Sequence, residues 1–262
     1  MKKLVLSLAM VLGATFAFGQ ELSKEELKEQ KRQIKALMSV VNDAEANLQS
    51  DPVGATNALR PVLVNSLVNK DAYVWYVSAS AKQAVIANEN NKRVEGAAYN
   101  EELLYSYTYD LGKDLAMCEE CDVIPDAKGR VKPRYAEFLK MSYMQQYGQF
   151  YNAGAYYYGN EEYNKAYDLF KMFIDTADKL YKLDVMPKDT TNVPVAAYNM
   201  ALCGMQLEDY AKVLTHVDMA LANEQMAPSA FRYKTVATIE LGDTAAWLEL
   251  CKEGAALYAD DA

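Results

Sequence analysis

Residues 150–170 read Phe150-Tyr-Asn-Ala-Gly154-Ala-Tyr-Tyr157-Tyr-Gly-Asn-Glu-Glu-Tyr163-Asn-Lys-Ala166-Tyr-Asp-Leu-Phe170. Aromatic and small residues recur at helical spacing on both sides of a short break near Gly159-Asn160. The spacing predicts two helices joined by a tight turn. Gly154 and Ala166 are the small members, and small side chains let two helix axes approach while large neighbours fill the adjoining grooves.

Working outward, the same grammar returns twice. Ala197-Tyr-Asn-Met-Ala201-Leu-Cys-Gly204 leads through a turn to Tyr210-Ala-Lys-Val213, Val217 and Ala220. Phe231-Arg-Tyr-Lys-Thr235 leads through Leu241-Gly242-Asp243 to Thr244-Ala-Ala-Trp247. Tyr210 and Thr244 are 34 residues apart, while Tyr163 and Tyr210 are 47 apart, an excess of 13 that a proline linker and a longer helix account for. These stretches resemble the tetratricopeptide repeat (TPR) family, whose period is 34 residues. The resemblance covers about 146–223 well and extends to 259. Before 145 it is architectural, although Trp75-Tyr76-Val77-Ser78-Ala79 matches the first half of a repeat. It implies an all-α, antiparallel helical-hairpin array, a TPR-like α-solenoid of about four repeats with insertions.

Upstream, Ser23-x-x-Glu26 is a capping box. Leu27, Ile34, Leu37, Val41, Ala44 and Leu48 then share one helical face, and Asp51-Pro52 ends that helix. A second helix is expected over 53–69 with a kink at Pro61, and a third from an Asp71 cap to about Ile86, broken by the polar run Asn88 to Lys92. A fourth covers about 97–121. Two linkers look equivalent: Asp122-Val123-Ile124-Pro125 followed by Pro133, and Asp184-Val185-Met186-Pro187 followed by Pro194. In each, the second proline is expected to open the next helix. Further helices are expected at about 133–158, 161–183, 194–206, 208–223, 228–240 and 244–259.

The N-terminus carries an address. Met1-Lys2-Lys3 precedes a 15-residue apolar stretch, Leu4 to Phe18, and Ala17 and Gly19 stand where a signal peptidase reads small residues. The stretch is shorter than the roughly 20 residues needed to span a bilayer. A secretory signal over 1–19 is therefore expected, followed by an N-terminal helical hairpin (20–71), a divergent TPR-like repeat and linker (72–145) and TPR-like repeats (146–262). Nothing else resembles a transmembrane span. The expected destination is the periplasm, with the extracellular space or envelope as alternatives.

Composition narrows function. With 27 Lys+Arg against 36 Asp+Glu the formal charge is −9. That disfavours nucleic acid and anionic membranes, which need a basic surface. One histidine and four cysteines offer no zinc site of the usual composition. No cofactor is implied. Cys118-Glu-Glu-Cys121 is the sharpest chemical pair, but Glu119, Glu120 and Asp122 would raise rather than lower a thiol pKa. A local disulfide between Cys118 and Cys121, or idle thiols, is expected instead of redox catalysis. Cys203 and Cys251 read as buried small hydrophobes. His216 lacks a Gly-x-Ser-x-Gly elbow to work with. Asp122, Asp126, Asp184 and Asp189 lie in linkers without EF-hand spacing.

Tyrosine is the unusual component, 20 against 7 Phe. A purely buried role would favour Phe, because each buried phenol needs a hydrogen-bond partner. Tyr143, Tyr147 and Tyr151 share a helical face, with Tyr158 close to the same line. The TPR resemblance implies that residues following the tryptophan slots (Trp75, Phe150, Ala197, Phe231) face a concave groove. These are Tyr76, Tyr151, Tyr198 and Arg232. Packing between repeats is the competing role for the same tyrosines. The expectation is a non-catalytic scaffold that binds a protein or peptide through Tyr76, Tyr151, Tyr158, Tyr198 and Arg232. The rival is a glycan- or peptidoglycan-binding envelope protein, since tyrosines also stack on sugar faces.

Overall fold

The computed structural model describes residues 23–258; the expected signal segment lies outside them. The described residues form ten helices and no strand. They are α1 Lys24–Ala46, α2 Pro52–Leu63, α3 Ala72–Val94, α4 Glu101–Asp122, α5 Ala136–Gly159, α6 Tyr163–Lys182, α7 Asn192–Gln206, α8 Tyr210–Ala220, α9 Ala227–Glu240 and α10 Thr244–Leu257. The all-α expectation holds, and helices adjacent in sequence pack on one another. Two units divide between residues 142 and 143, within α5.

In the first unit α1 starts on the expected capping box: Ser23 Oγ accepts from Glu26 N at 3.2 Å and Ser23 N donates to Glu26 Oε2 at 2.8 Å. Ile34, Met38, Val41 and Ala44 of α1 meet Ala55, Leu59 and Val62 of α2 and Tyr73, Val74 and Val77 of α3 in one apolar cluster. The α3–α4 pair is tied differently. Lys82, Ser78 and Asp114 are all buried. The Lys82 ammonium pairs with Asp114 Oδ2 and donates to Ser78 Oγ at 2.8 Å, and Ser78 Oγ donates to Asp114 Oδ2 at 2.5 Å.

Three expectations fail in or beside this unit. The run Asn88 to Lys92 does not break α3, which continues to Val94. Its Glu89 side chain is buried and accepts from Lys92 Nζ at 2.5 Å and from the Asn100 amide at 2.7 Å. The polar residue thus ties the helix to the next connection instead of unwinding it. Helix α2 ends at Leu63, two residues after Pro61, not near 69. There the Asn65 side chain accepts from Leu67 N and turns the backbone away from the helix. The two proline linkers are also not equivalent. Asp122 is helical and buried, and its carboxylate accepts from the Arg134 and Tyr135 amides, so α5 opens only at Ala136, beyond Pro133. Asp184 is exposed with φ 54°, and Pro194 sits inside the first turn of α7.

The second unit has an internal periodicity visible in its turns. Between α5 and α6, Glu161 adopts φ 62° and Glu162 N donates to Tyr157 O at 2.9 Å. Between α7 and α8, Glu208 adopts φ 53° and Asp209 N donates to Gly204 O at 2.9 Å. Between α9 and α10, Gly242 adopts φ 84° and Asp243 N donates to Thr238 O at 3.2 Å. Each turn is a Schellman closure with its left-handed residue two positions before the next helix. Only the third uses glycine, for which that conformation carries no steric cost. Small residues permit the close crossings. A Cβ on Gly154 would lie 2.8 Å from the Phe170 ring, and one on Gly204 would lie 2.9 Å from the Val213 backbone nitrogen. Ala166 is fully buried. Helix α9 packs on both α8 and α7, so the first helices of these two hairpins are neighbours.

Candidate functional site

The tyrosines of α5 fall on the face turned toward α6 and α7. Tyr143 is buried, with Lys179 Nζ 4.3 Å from its ring centroid. One turn on, Tyr147 stacks on Phe173 at 4.4 Å and donates to Asp189 Oδ2 at 2.5 Å. Tyr151 meets Phe170 and Phe173 edge-on at 5.4 and 5.5 Å and accepts from Asn199 Nδ2 of α7 at 3.2 Å. Beside Asn199, Tyr198 lies 5.8 Å from the ring of Tyr233 on α9. Arg232 is exposed, its guanidinium 5.9 Å from that same Tyr233 ring. Tyr158 packs edge-on against Tyr163 at 5.4 Å.

Tyr151, Tyr158 and Tyr198 are each half-buried. Their rings pack at one edge and keep part of their surface open, as an amphipathic phenol does when its hydroxyl is spared full desolvation. Burial and the neighbouring Tyr233 both push the Tyr198 phenol up, so it is a neutral donor at physiological pH. The structure links Tyr151 to Asn199, the residue after Tyr198 on α7, and Tyr198 to Arg232 through Tyr233. Tyr76 belongs to the first unit, where it stacks on Tyr135 at 4.7 Å and meets Phe138 edge-on at the same distance. Sequence reading missed Asn199 and Tyr233, because it took only the single residue after each slot. Their adjacency to Tyr198 and Arg232 was the available signal.

Of the linker acids, Asp122, Asp126 and Asp189 accept from protein donors, while Asp184 is exposed. Asp189 accepts from Thr191 N, Asn192 N and Asn192 Nδ2 as well as from Tyr147. Burial alone would raise its carboxyl, but these donors outweigh it and hold the pKa below the usual carboxylate value. Asp126 closes a turn with Arg130 at 2.6 Å. Among the described residues no group of three His, Cys, Asp or Glu is placed to hold a metal ion.

The cysteine pair is not bridged. Cys118 and Cys121 are free and buried, and their thiols donate to Ala72 O and Asn69 O, each at 3.6 Å. Burial, then the Asp122 charge, pushes Cys118 up to about 12; burial, then Glu120, pushes Cys121 up to about 11. A thiol in such surroundings is a weak nucleophile. Cys203 is buried as expected, but Cys251 is exposed, because no residue of the terminal α10 is fully buried. His216 lies near Lys171 and Asp175 of α6, its Nδ1 has no hydrogen-bond partner, and burial lowers its pKa.

No described helix is long and apolar enough to cross a membrane. Compared with known proteins, the chain matches no family model, no curated protein and no solved structure.

Proposed function

We propose that this chain is an exported, non-catalytic scaffold whose TPR-like hairpins bind a protein or peptide through the tyrosine-bearing surface of the second unit. The observation that carries the reading is the recurrence of one turn geometry in three successive hairpins, with Tyr151, Tyr198 and Arg232 on their first helices. Repetition of that kind sets equivalent side chains at regular intervals, which suits an extended partner segment. Half-exposed tyrosines give large contact area at low entropic cost. Arg232 is the only cation among the groove positions Tyr76, Tyr151, Tyr158, Tyr198 and Arg232, too little charge to hold a strongly acidic segment, so an apolar or aromatic-rich one fits better.

The test is affinity capture from the native envelope with the wild type and with Tyr198→Ala and Tyr151→Ala. A tyrosine at a hot spot should cost about 2 kcal/mol of binding on truncation. Salt should weaken capture only slightly, since one cation carries little screened attraction. If both variants hold the partner as tightly as the wild type, the surface has another role. Tyrosine-dependent retention on a glycan array would turn the reading to the envelope-glycan alternative.

A further inference from the structure

The second proline linker, together with the helices on either side of it, lines a partly open cavity of about 400 Å³. Its walls are Ile174 and Ala177 of α6, Val193 and Pro194 of α7, and Met219 and Ala222 at the end of α8. Tyr181 and Lys188 stand at its rim, together with Asp178 and Asp189. The size is that of a small-molecule site, and the lining is mainly apolar.

The linker wall is held in place. Asp189 anchors it through the Tyr147 hydroxyl and the amides of Thr191 and Asn192. With the Asn192 side-chain amide as a fourth donor, the Asp189 carboxylate has filled its roughly four lone-pair sites. Asp178 forms an exposed pair with Lys182 at 2.7 Å, so the two charges largely offset one another. The exposed Lys188 ammonium, in no ion pair among the described residues, is the cation at the rim open to a ligand. An apolar chamber with one available ammonium and a phenol at its mouth selects an amphiphile that ends in an oxygen anion.

We propose that this cavity binds an acyl chain bearing a terminal carboxylate, with the chain between α6, α7 and α8 and the carboxylate at Lys188. The site is separate from the tyrosine surface and does not depend on that reading.

The experiment is calorimetric titration of the full chain with decanoate, decanol and decyltrimethylammonium below their aggregation concentrations. Decanoate should bind at least tenfold more tightly than decanol, and the quaternary ammonium more weakly than either. Lys188→Glu should remove the preference for decanoate and leave decanol unchanged. Val193→Trp, which fills the chamber, should abolish binding of both. Ala222→Phe, at the opposite wall, should do the same, so that a folding defect in one variant does not decide the result. Far-UV circular dichroism checks that the variants remain folded. Absence of binding by all three ligands overturns the proposal. Equal or tighter binding of the ammonium, or decanoate binding untouched by Lys188→Glu or by both filling variants, also overturns it.

Discussion

The α3–α4 pair and the α5–α6 pair solve the same packing problem with different chemistry. In the first, a lysine, a serine and an aspartate are buried together across the helix contact. In the second, glycine and alanine bring two helices close, and tyrosines fill the edges with hydroxyls directed to partners or the surface. A buried ionic cluster fixes which residues may face one another, because any mismatch strands a charge. Close packing of small residues fixes a distance instead, and leaves the flanking aromatic side chains available for other contacts. The difference teaches why the tyrosine surface belongs to the second unit: there aromatic rings are held by shape, with part of each ring still open.

That contrast can be broken most forcefully at Lys82. Lys82→Met leaves Asp114 buried without its cation, which should cost about 3–5 kcal/mol. The urea midpoint should fall accordingly, and adding Asp114→Leu should recover most of the loss, since a well-packed apolar pair can replace a buried ion pair. A loss below about 1 kcal/mol from the single change would mean that water reaches Asp114 and that the two regions differ less than they look.

The corresponding probe of the second region is Ala166→Leu. Overpacking a fully buried small site should cost about 1–3 kcal/mol, read as a shift in denaturation midpoint. An unchanged midpoint would refute close packing between α5 and α6. The smallest effect is expected at the turns. Glu208 holds a left-handed conformation that Gly242 holds without steric cost. Glu208→Gly should therefore stabilise by about 0.5–1 kcal/mol after the added freedom of the unfolded chain is set against it. Destabilisation would show that the Glu208 side chain makes contacts the turn geometry does not account for.

Much of the helical order was legible because its signals are local. The Ser23–Glu26 capping box, the apolar stripe of α1 and the small-residue pattern from Gly154 to Ala220 each rest on spacing along one or two helices. The matching turns in the second unit follow from the same repeats that set Tyr210 and Thr244 34 residues apart. The failures share another cause. Asn88 to Lys92 looked like a breaker because polar residues have turn chemistry available, but Glu89 spends its carboxylate on an amide eleven residues away. The two proline linkers share one pattern of acid, apolar pair and prolines, yet Asp122 is buried by contacts to Arg134 and Tyr135 while Asp184 stays exposed.

The candidate surface divides along the same line. The sequence by itself determined that the chain is helical, where its second-unit hairpins turn, and that tyrosine outnumbers phenylalanine on their first helices. Helical periodicity and capping act over a few residues, so their outcome is written where they act. Only the tertiary structure decided that Tyr76 packs within the first unit, that Tyr151 meets Asn199, that Tyr198 meets Tyr233, and that Asp189 closes the linker onto Tyr147. Those pairings join residues 35 to 59 positions apart, and each depends on which face a neighbouring element presents, a choice fixed by packing rather than by local spacing.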